Sequence, residues 1–243
     1  MIRLSTGNWE LKNMEAVIFD KDGTFINLHK FWGKITELRA LEIIKSFNLT
    51  KDSFNEICLF LGYNYESKKM ISNGITAMYS RSEIIKILKE KLEQSYNIQI
   101  STNKITSIFD MISEHFYKNM FEYTETIESA INFIKKLYNK NIKLGIVTSD
   151  SIISTKKTLK YFNLEYLFDV IVGRETSQET KESGIPTKMA QLIAKLDASG
   201  ILEPFSKGKL PTLKLLRFRD TASDQMAIAK GIKEFDINNY TIN

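Results

Sequence analysis

The sequence predicts an α/β protein whose doubly wound core contains a parallel sheet and is interrupted by a block of helices. Short apolar runs that end in polar residues alternate with helical patterns near the amino terminus and again after about residue 120; such alternation is typical of a parallel sheet covered by helices. Between about residues 30 and 120, apolar residues recur only at helical spacing. The 243 residues suffice for a core of roughly 150 residues and a second unit of roughly 90.

The first strong element is the apolar run Ala16–Phe19, which is followed directly by the polar, glycine-containing sequence 20–24. This pattern predicts a buried strand that enters a loop. The helical block that follows is predicted to be all-helical, with a turn at Asn73 and Gly74. We therefore expect three segments: core residues 1–27, helical residues 28–120 and core residues 121–243.

The second core segment continues the alternation of helices and strands. Thr124 or Thr126 is a candidate cap for a helix that runs through Tyr138. The elements predicted after it are a strand over 143–147, a helix over 151–161, a strand over 169–173, a helix over 189–196, a strand over 213–218 and a helix over 223–230.

The composition limits the chemistry that the chain can perform. One cysteine excludes a disulfide framework and a cysteine-based zinc cluster, and two histidines leave little for a histidine-rich metal site. Cys58 lies in an apolar helical stretch with no obvious base, so we expect it to be a packing residue. Carboxylates, hydroxyls and lysines remain as the candidate reactive groups.

The charge pattern argues against a nucleic-acid or membrane protein. The net charge of +5 is spread along the chain rather than gathered in a basic arm. No apolar run approaches the roughly 20 residues that span a bilayer, and the amino terminus is too polar for a signal peptide. We therefore expect a cytoplasmic protein with no nucleic-acid or membrane partner. For the oligomeric state, we expect a monomer or a homodimer.

Polar residues follow three predicted strands at the edge where parallel sheets bind their ligands. These residues are Asp20 and Asp22, Thr148 and Ser149, and Asp220 with Asp224. Converging carboxylates repel one another unless a cation lies between them, and a hard cation such as Mg²⁺ prefers oxygen ligands. A carboxylate beside Mg²⁺ is also able to attack phosphorus and form an aspartyl phosphate.

The apolar strand followed by Asp-Lys-Asp-Gly-Thr resembles the first motif of the haloacid dehalogenase-like superfamily, in its phosphatase branch. The resemblance implies that Asp20 is the nucleophile and that Asp22 is the general acid and base, with its backbone carbonyl on Mg²⁺. It also implies that Gly23 permits a tight turn and that Thr24 braces the phosphate-binding loop.

Three further stretches resemble the remaining motifs. In Leu-Gly-Ile-Val-Thr-Ser-Asp, the resemblance places Thr148 and the adjacent Ser149 at the phosphate. In Arg-Asp-Thr-Ala-Ser-Asp, it makes Asp220 a metal ligand together with Asp20 and Asp22, supported by Asp224. The third motif supplies a lysine, for which Lys181 is favoured and Lys188 is the alternative.

Taken together, the resemblance implies a Rossmann-like three-layer core with an inserted helical cap. The implied activity is Mg²⁺-dependent hydrolysis of small phosphomonoesters similar to phosphoglycolate, so the expected partner is a small phosphorylated metabolite. Two alternatives remain open: a phosphomutase similar to β-phosphoglucomutase, and a non-catalytic phosphate-binding protein, which Arg219 in place of the usual glycine before Asp220 would suit. Dehalogenases lack the second aspartate of the first motif, so Asp22 argues against them.

Overall fold

A computed structural model of the chain describes residues 2–6, 9–14, 16–176 and 241–242. The chain forms two compact units. The core unit comprises Met1–Ile26 and Thr126–Asn243, and the helical unit comprises Asn27–Glu125. The strands and α-helices of the described residues are, in chain order, β1 (Ile2–Thr6), β2 (Trp9–Met14), β3 (Ala16–Phe19), α1 (Leu28–Ser46), α2 (Ser53–Phe60), β4 (Tyr63–Asn64), β5 (Lys69–Met70), α3 (Ile75–Met78), α4 (Arg81–Tyr96), α5 (Thr102–Lys118), α6 (Met120–Tyr123), α7 (Glu128–Asn139), β6 (Lys143–Val147), α8 (Ile152–Tyr161), β7 (Val170–Val172) and β8 (Thr241–Ile242).

The core unit contains a parallel sheet with the strand order β3-β6-β7. In this sheet Phe19 of β3 lies opposite Ile146 of β6, and Val147 of β6 lies opposite Val172 of β7. The strands predicted over these residues are confirmed, as is the helix α8 that connects β6 to β7. Since β6 is the middle strand of the three, the loops that follow β3 and β6 emerge side by side at one edge.

Aromatic side chains fill the interior of the core unit near the end of β3. The fully buried ring of Phe19 makes edge contacts with Phe133 of α7 and with Phe168, whose ring centroids lie 6.2 and 6.4 Å away. Phe25 stacks on Phe168 at 5.5 Å. These rings bury large apolar areas, and they fix the chain on both sides of the loop that contains Asp20 and Asp22.

A second sheet of the core unit was not predicted from the sequence. Strands β1 and β2 pair in antiparallel fashion, and β8 near the carboxyl terminus pairs with β1. Apolar and polar residues do alternate in both strands, from Ile2 to Ser5 and from Trp9 to Lys12, but each alternation extends over only four residues, the shortest run that indicates a strand.

The helical unit packs α1, α2, α4 and α5 around its own apolar core. Side-chain caps fix where its long helices begin. Asn27 caps α1, Ser101 caps α5, and Ser80 forms a capping box with Glu83 at the start of α4. Each cap satisfies an amide N–H that the first turn of a helix leaves unpaired.

One short hairpin interrupts the otherwise helical pattern of this unit, which the sequence predicts to be entirely helical. Strands β4 and β5 pair in antiparallel register. The Asn64 side chain accepts a hydrogen bond of 2.9 Å from the Ser67 N–H, and Lys68 adopts a φ of 55°. Two-residue strands are too short to produce a recognisable alternation, which explains why the sequence did not reveal them.

The chain passes between the two units along paired backbone segments. In the core unit, the Ile127 N–H donates to the Phe25 carbonyl at 2.9 Å, and Ile26 bridges Thr126. In the helical unit, the Asn27 N–H donates to the Glu125 carbonyl at 3.0 Å. The predicted cap of α7 by Thr124 or Thr126 is wrong, because Thr126 pairs in this extended segment and Ile127 takes the cap position without a side-chain bond.

The elements predicted over 189–196, 213–218 and 223–230 lie outside the described residues. No helix within the described ranges has both the length and the apolar character that crossing a bilayer requires.

The close approach of two glycines in the helical unit gives a test of its packing. A Cβ on Gly74 would lie 2.6 Å from the Gly62 Cα, and backbone atoms cannot move aside without distorting the turn. We expect Gly74→Ala to lower the free energy of unfolding by about 1–3 kcal/mol, measured by urea denaturation. The control Ser72→Ala changes an exposed residue of the same turn and should stay within about 0.5 kcal/mol of the wild type. Equal stability of the two variants would contradict this packing.

Candidate active site

The candidate site lies where β3 and β6 end. Asp20 and Asp22 follow β3, and Thr148 follows β6, the neighbouring parallel strand. Residues at the carboxyl ends of adjacent parallel strands share one edge of the sheet, and this edge is where α/β folds bind their ligands. The structure therefore brings the predicted carboxylates and the predicted hydroxyl to the same edge of the core unit.

The loop after β3 folds tightly around one backbone carbonyl. The Lys21 carbonyl accepts hydrogen bonds from the N–H groups of Thr24, Phe25 and Ile26 at 3.2–3.3 Å. Gly23 has a φ of 81°, which glycine adopts without strain and other residues rarely do. The turn predicted at Gly23 is therefore present, and the Thr24 side chain inside it is buried.

The two aspartates of this loop have different surroundings. Asp20 is half-buried, and its Oδ1 accepts the Lys21 N–H at 2.8 Å. The side chain of Asp22 is only 14% exposed, and its Oδ1 accepts a hydrogen bond of 2.5 Å from the Lys21 Nζ. Burial raises the pKa of the Asp22 carboxyl above its ordinary value, although the Lys21 ammonium lowers it; the Asp150 carboxylate raises the pKa further.

The loop after β6 holds its polar groups through backbone hydrogen bonds. The Thr148 N–H donates to the Val172 carbonyl at 3.0 Å, and the Thr148 Oγ1 accepts the Asp150 N–H at 3.1 Å. Ser149 is exposed, and its carbonyl accepts a bond of 2.9 Å from the Arg174 Nε. These contacts fix a buried threonine hydroxyl and an exposed serine immediately beyond the strand.

Two charged residues that the sequence did not single out stand beside the predicted site residues. The Lys21 side chain is completely buried, and its Nζ lies 3.1 Å from the Asp150 Oδ2 as well as against Asp22. A lysine in a loop is normally solvated, so the sequence offered little reason to select Lys21. The available signal was its place between two candidate aspartates directly after a buried strand.

The described residues include only part of the set of metal ligands that the sequence predicts. The oxygens of Asp20 and of the Asp22 backbone are hard donors of the kind that Mg²⁺ prefers, so they fit the ion that the sequence implies. Within the described ranges, no three acidic, histidine or cysteine side chains cluster closely enough to hold a metal. The remaining predicted groups, Asp220, Asp224, Lys181 and Lys188, lie outside the described residues.

Cys58 has the surroundings of a packing residue. Its side chain is fully buried in the core of the helical unit. Burial raises the pKa of the thiol to about 12, and the nearby Glu37 carboxylate adds to the rise. Since the thiolate is the reactive form, this environment opposes a nucleophilic role.

The chain is similar to known proteins over most of its length. Residues 17–201 match the haloacid dehalogenase-like hydrolase family. A phosphoglycolate phosphatase from Aquifex aeolicus is 27% identical over 71% of this chain and 67% of its own. The pyrophosphatase PpaX from Halalkalibacterium halodurans is 24% identical over 73% of this chain and 67% of its own. Among solved structures, a phosphatase of the same superfamily from Thermococcus onnurineus superposes with a TM-score of 0.55 at 17% identity, covering 91% of this chain and 84% of that one.

The burial of Cys58 predicts a thiol that reacts only after unfolding. With a thiol pKa of about 12, about one molecule in 10,000 carries the thiolate at pH 8 even before access is considered. We expect Ellman's reagent to label the native chain at least about 100 times more slowly than the urea-unfolded chain, which should show one thiol per chain. Rapid labelling of the native protein would overturn this assignment.

Proposed function

We propose that this chain, which belongs to the haloacid dehalogenase-like hydrolase family, hydrolyses small phosphomonoesters in a Mg²⁺-dependent reaction. One observation carries the proposal. Two carboxylates on the loop after β3 and a hydroxyl after the adjacent strand β6 share one edge of the sheet. A nucleophile, a proton donor and a phosphate ligand are the groups that transfer of a phosphoryl group to a carboxylate requires.

In the proposed reaction, a carboxylate oxygen of Asp20 attacks the phosphorus, and the bond from phosphorus to the ester oxygen breaks. Asp22 donates its proton to the leaving oxygen, so the alcohol departs neutral. Asp22 then takes a proton from water, whose oxygen attacks the phosphorus of the aspartyl phosphate. Inorganic phosphate leaves, and both aspartates return to their starting forms.

The surroundings of Asp22 support its role as the proton donor. An acid is most useful when its pKa lies near the working pH, and burial raises the pKa of this carboxyl. Asp20, which is half-buried at the end of β3 and accepts the Lys21 N–H, is the better candidate for the attacking carboxylate. The different surroundings of the two residues therefore support the assignment that the sequence motif implies.

The other groups of the proposal hold the phosphoryl oxygens. We assign this task to the Gly23 and Thr24 segment, to the Thr148 hydroxyl and Ser149, and to the ammonium of Lys181 or alternatively Lys188. Asp20, Asp22, Asp220 and Asp224 are the proposed ligands of Mg²⁺. The ion, when bound, neutralises negative charge on the phosphoryl group and its attacking carboxylate.

For the substrate, we propose a small phosphorylated acid similar to phosphoglycolate, with the helical unit acting as the cap. A relative that is 27% identical is named a phosphoglycolate phosphatase. Another is named a pyrophosphatase, so inorganic pyrophosphate belongs among the compounds to be tested. A cytoplasmic location and a monomeric or homodimeric state stay predictions.

The deciding experiment measures phosphate release from a panel of phosphomonoesters, with para-nitrophenyl phosphate and pyrophosphate included, with and without Mg²⁺. We expect Mg²⁺-dependent release by the wild type. We expect Asp20→Asn to lower kcat by at least about 1,000-fold, because the amide cannot act as the nucleophile. Asp169→Asn, at the opposite end of the sheet beside Lys143, is a control that should retain activity if it stays folded.

Each other outcome identifies a different function. Transfer of phosphate between two positions of a sugar phosphate without net release would replace the phosphatase by a phosphomutase. No turnover of any compound by a folded protein that binds phosphate would instead favour a non-catalytic binding protein. Full activity of Asp20→Asn would remove Asp20 from the reaction.

The choice between the two candidate lysines has its own test. We expect Lys181→Ala to lower kcat/KM by about 100-fold, since it removes a charge that stabilises the developing negative charge on phosphate. Lys188→Ala should stay within about threefold of the wild type and serves as the matched control. A large loss only in Lys188→Ala would transfer the role to Lys188.

A further inference from the structure

Lys21, the residue between Asp20 and Asp22, has no contact with solvent. Removing an ammonium from water has a large free-energy cost, so a lysine at such a position has to be held by acceptors. An apolar side chain would fill the same space without that penalty, and replacing buried ion pairs by apolar residues is often neutral or stabilising. The presence of a lysine at this position therefore calls for an explanation other than packing.

The Lys21 ammonium contacts the carboxylates of two different loops. Its Nζ lies 2.5 Å from the Asp22 Oδ1, within its own loop, and 3.1 Å from the Asp150 Oδ2, in the loop after β6. The ammonium group thus links the end of β3 to the end of β6 through one charged hydrogen bond, to Asp22, and one ion pair, to Asp150.

Asp150 is itself held firmly, so it acts as a fixed anchor for the ammonium. Its Oδ1 accepts the Ser151 N–H at 2.7 Å, and its Oδ2 accepts the Ser154 hydroxyl at 2.5 Å. Its own N–H donates to the Thr148 Oγ1 at 3.1 Å. A chain of contacts therefore connects Asp22, through Lys21 and Asp150, to the residue proposed to bind phosphate.

We propose that Lys21 and Asp150 form a buried positioning pair that holds the Asp22 carboxylate by its Oδ1 and so fixes the place of Asp22 beside the other groups of the site. The inference rests on the proposed function, because it assigns Asp22 a part in the reaction. Lys21 and Asp150 are positioning residues: they act through Asp22 and touch neither substrate nor phosphate. A small displacement of a catalytic group lowers rate more than it lowers binding.

The test compares Lys21→Met, Asp150→Asn and the double variant with the wild type. Lys21→Met keeps an unbranched side chain, one atom shorter, and removes its charge. We expect its kcat for para-nitrophenyl phosphate with Mg²⁺ to fall about 100-fold, while KM changes less than threefold. Lys143→Met is the matched control, since it breaks a 2.7 Å ion pair with Asp169 at the other end of the same sheet, and its kcat should stay within threefold.

The double variant separates positioning from a purely structural role. Lys21→Met alone leaves Asp150 as a buried charge without its cation and should lower the melting temperature. In the double variant, the uncharged amide that replaces the Asp150 carboxylate no longer needs a cation, so the melting temperature should recover in part, although Asp22 remains without its cation. Under the proposal kcat remains low in spite of that recovery. If kcat recovers together with stability, or if folded Lys21→Met keeps the wild-type kcat, the proposal is overturned.

The remaining outcomes are also decisive. If neither variant that lacks Lys21 folds, Asp150→Asn alone is the test, because Lys21 keeps its bond to Asp22 and loses only its charged anchor. A fall in kcat of about tenfold with unchanged KM supports the pair, and an unchanged kcat overturns it. If the wild type releases no phosphate, the proposed function fails, and this role of Lys21 fails with it. If the wild type and Lys21→Met are equally active, the proposed function stands and only the role of Lys21 fails.

Discussion

Compensation of negative charge at one edge of the parallel sheet is the constraint on which the candidate site depends. Asp20 and Asp22 follow β3, while Asp150 lies just beyond β6, the neighbouring strand. Like charges placed together in a partly dry environment repel one another strongly. The Lys21 ammonium, buried between Asp22 and Asp150, supplies one positive charge from within the chain. Under the proposed function, a bound divalent cation would supply further positive charge beside these carboxylates.

The loop after β3 fixes the backbone of the two aspartates, and the chain directly after it pairs with the segment that returns from the helical unit. Its turn collects three N–H groups on the Lys21 carbonyl, which fixes the backbone that presents Asp20 and Asp22. Directly afterwards, Ile26 bridges Thr126, so the departing and returning strands of the chain are paired within the core unit. An insertion whose two ends are tied together adds little closure entropy to the core. The site geometry is therefore compatible with a large helical unit inserted only a few residues away.

The sequence predicted the parallel strands and Asp20, Asp22 and Thr148 at their ends, because buried apolar runs followed by polar loops are strong local signals. It missed β1 and β2, in which apolar and polar residues alternate over only four positions each. It also missed the β4–β5 hairpin, whose two-residue strands are too short to show periodicity. It also missed Lys21 and Asp150. Their importance arises from a contact between residues more than 100 positions apart in the sequence, and the solvation of a single lysine cannot be judged from its neighbours along the chain.

The burial of Lys21 also gives a physical reason for the hydrogen bonds that hold the Asp150 side chain in place. A carboxylate that compensates a buried cation has to remain ionised and in place, since an unpaired buried ammonium costs far more than a solvated one. The Ser151 N–H and the Ser154 hydroxyl stabilise the ionised Asp150 side chain, and its backbone N–H is tied to Thr148. Ser151 also caps α8, so the anchor is built into the start of a helix. The position of the Asp22 carboxylate is thus linked, through one lysine, to the secondary structure that follows the neighbouring strand.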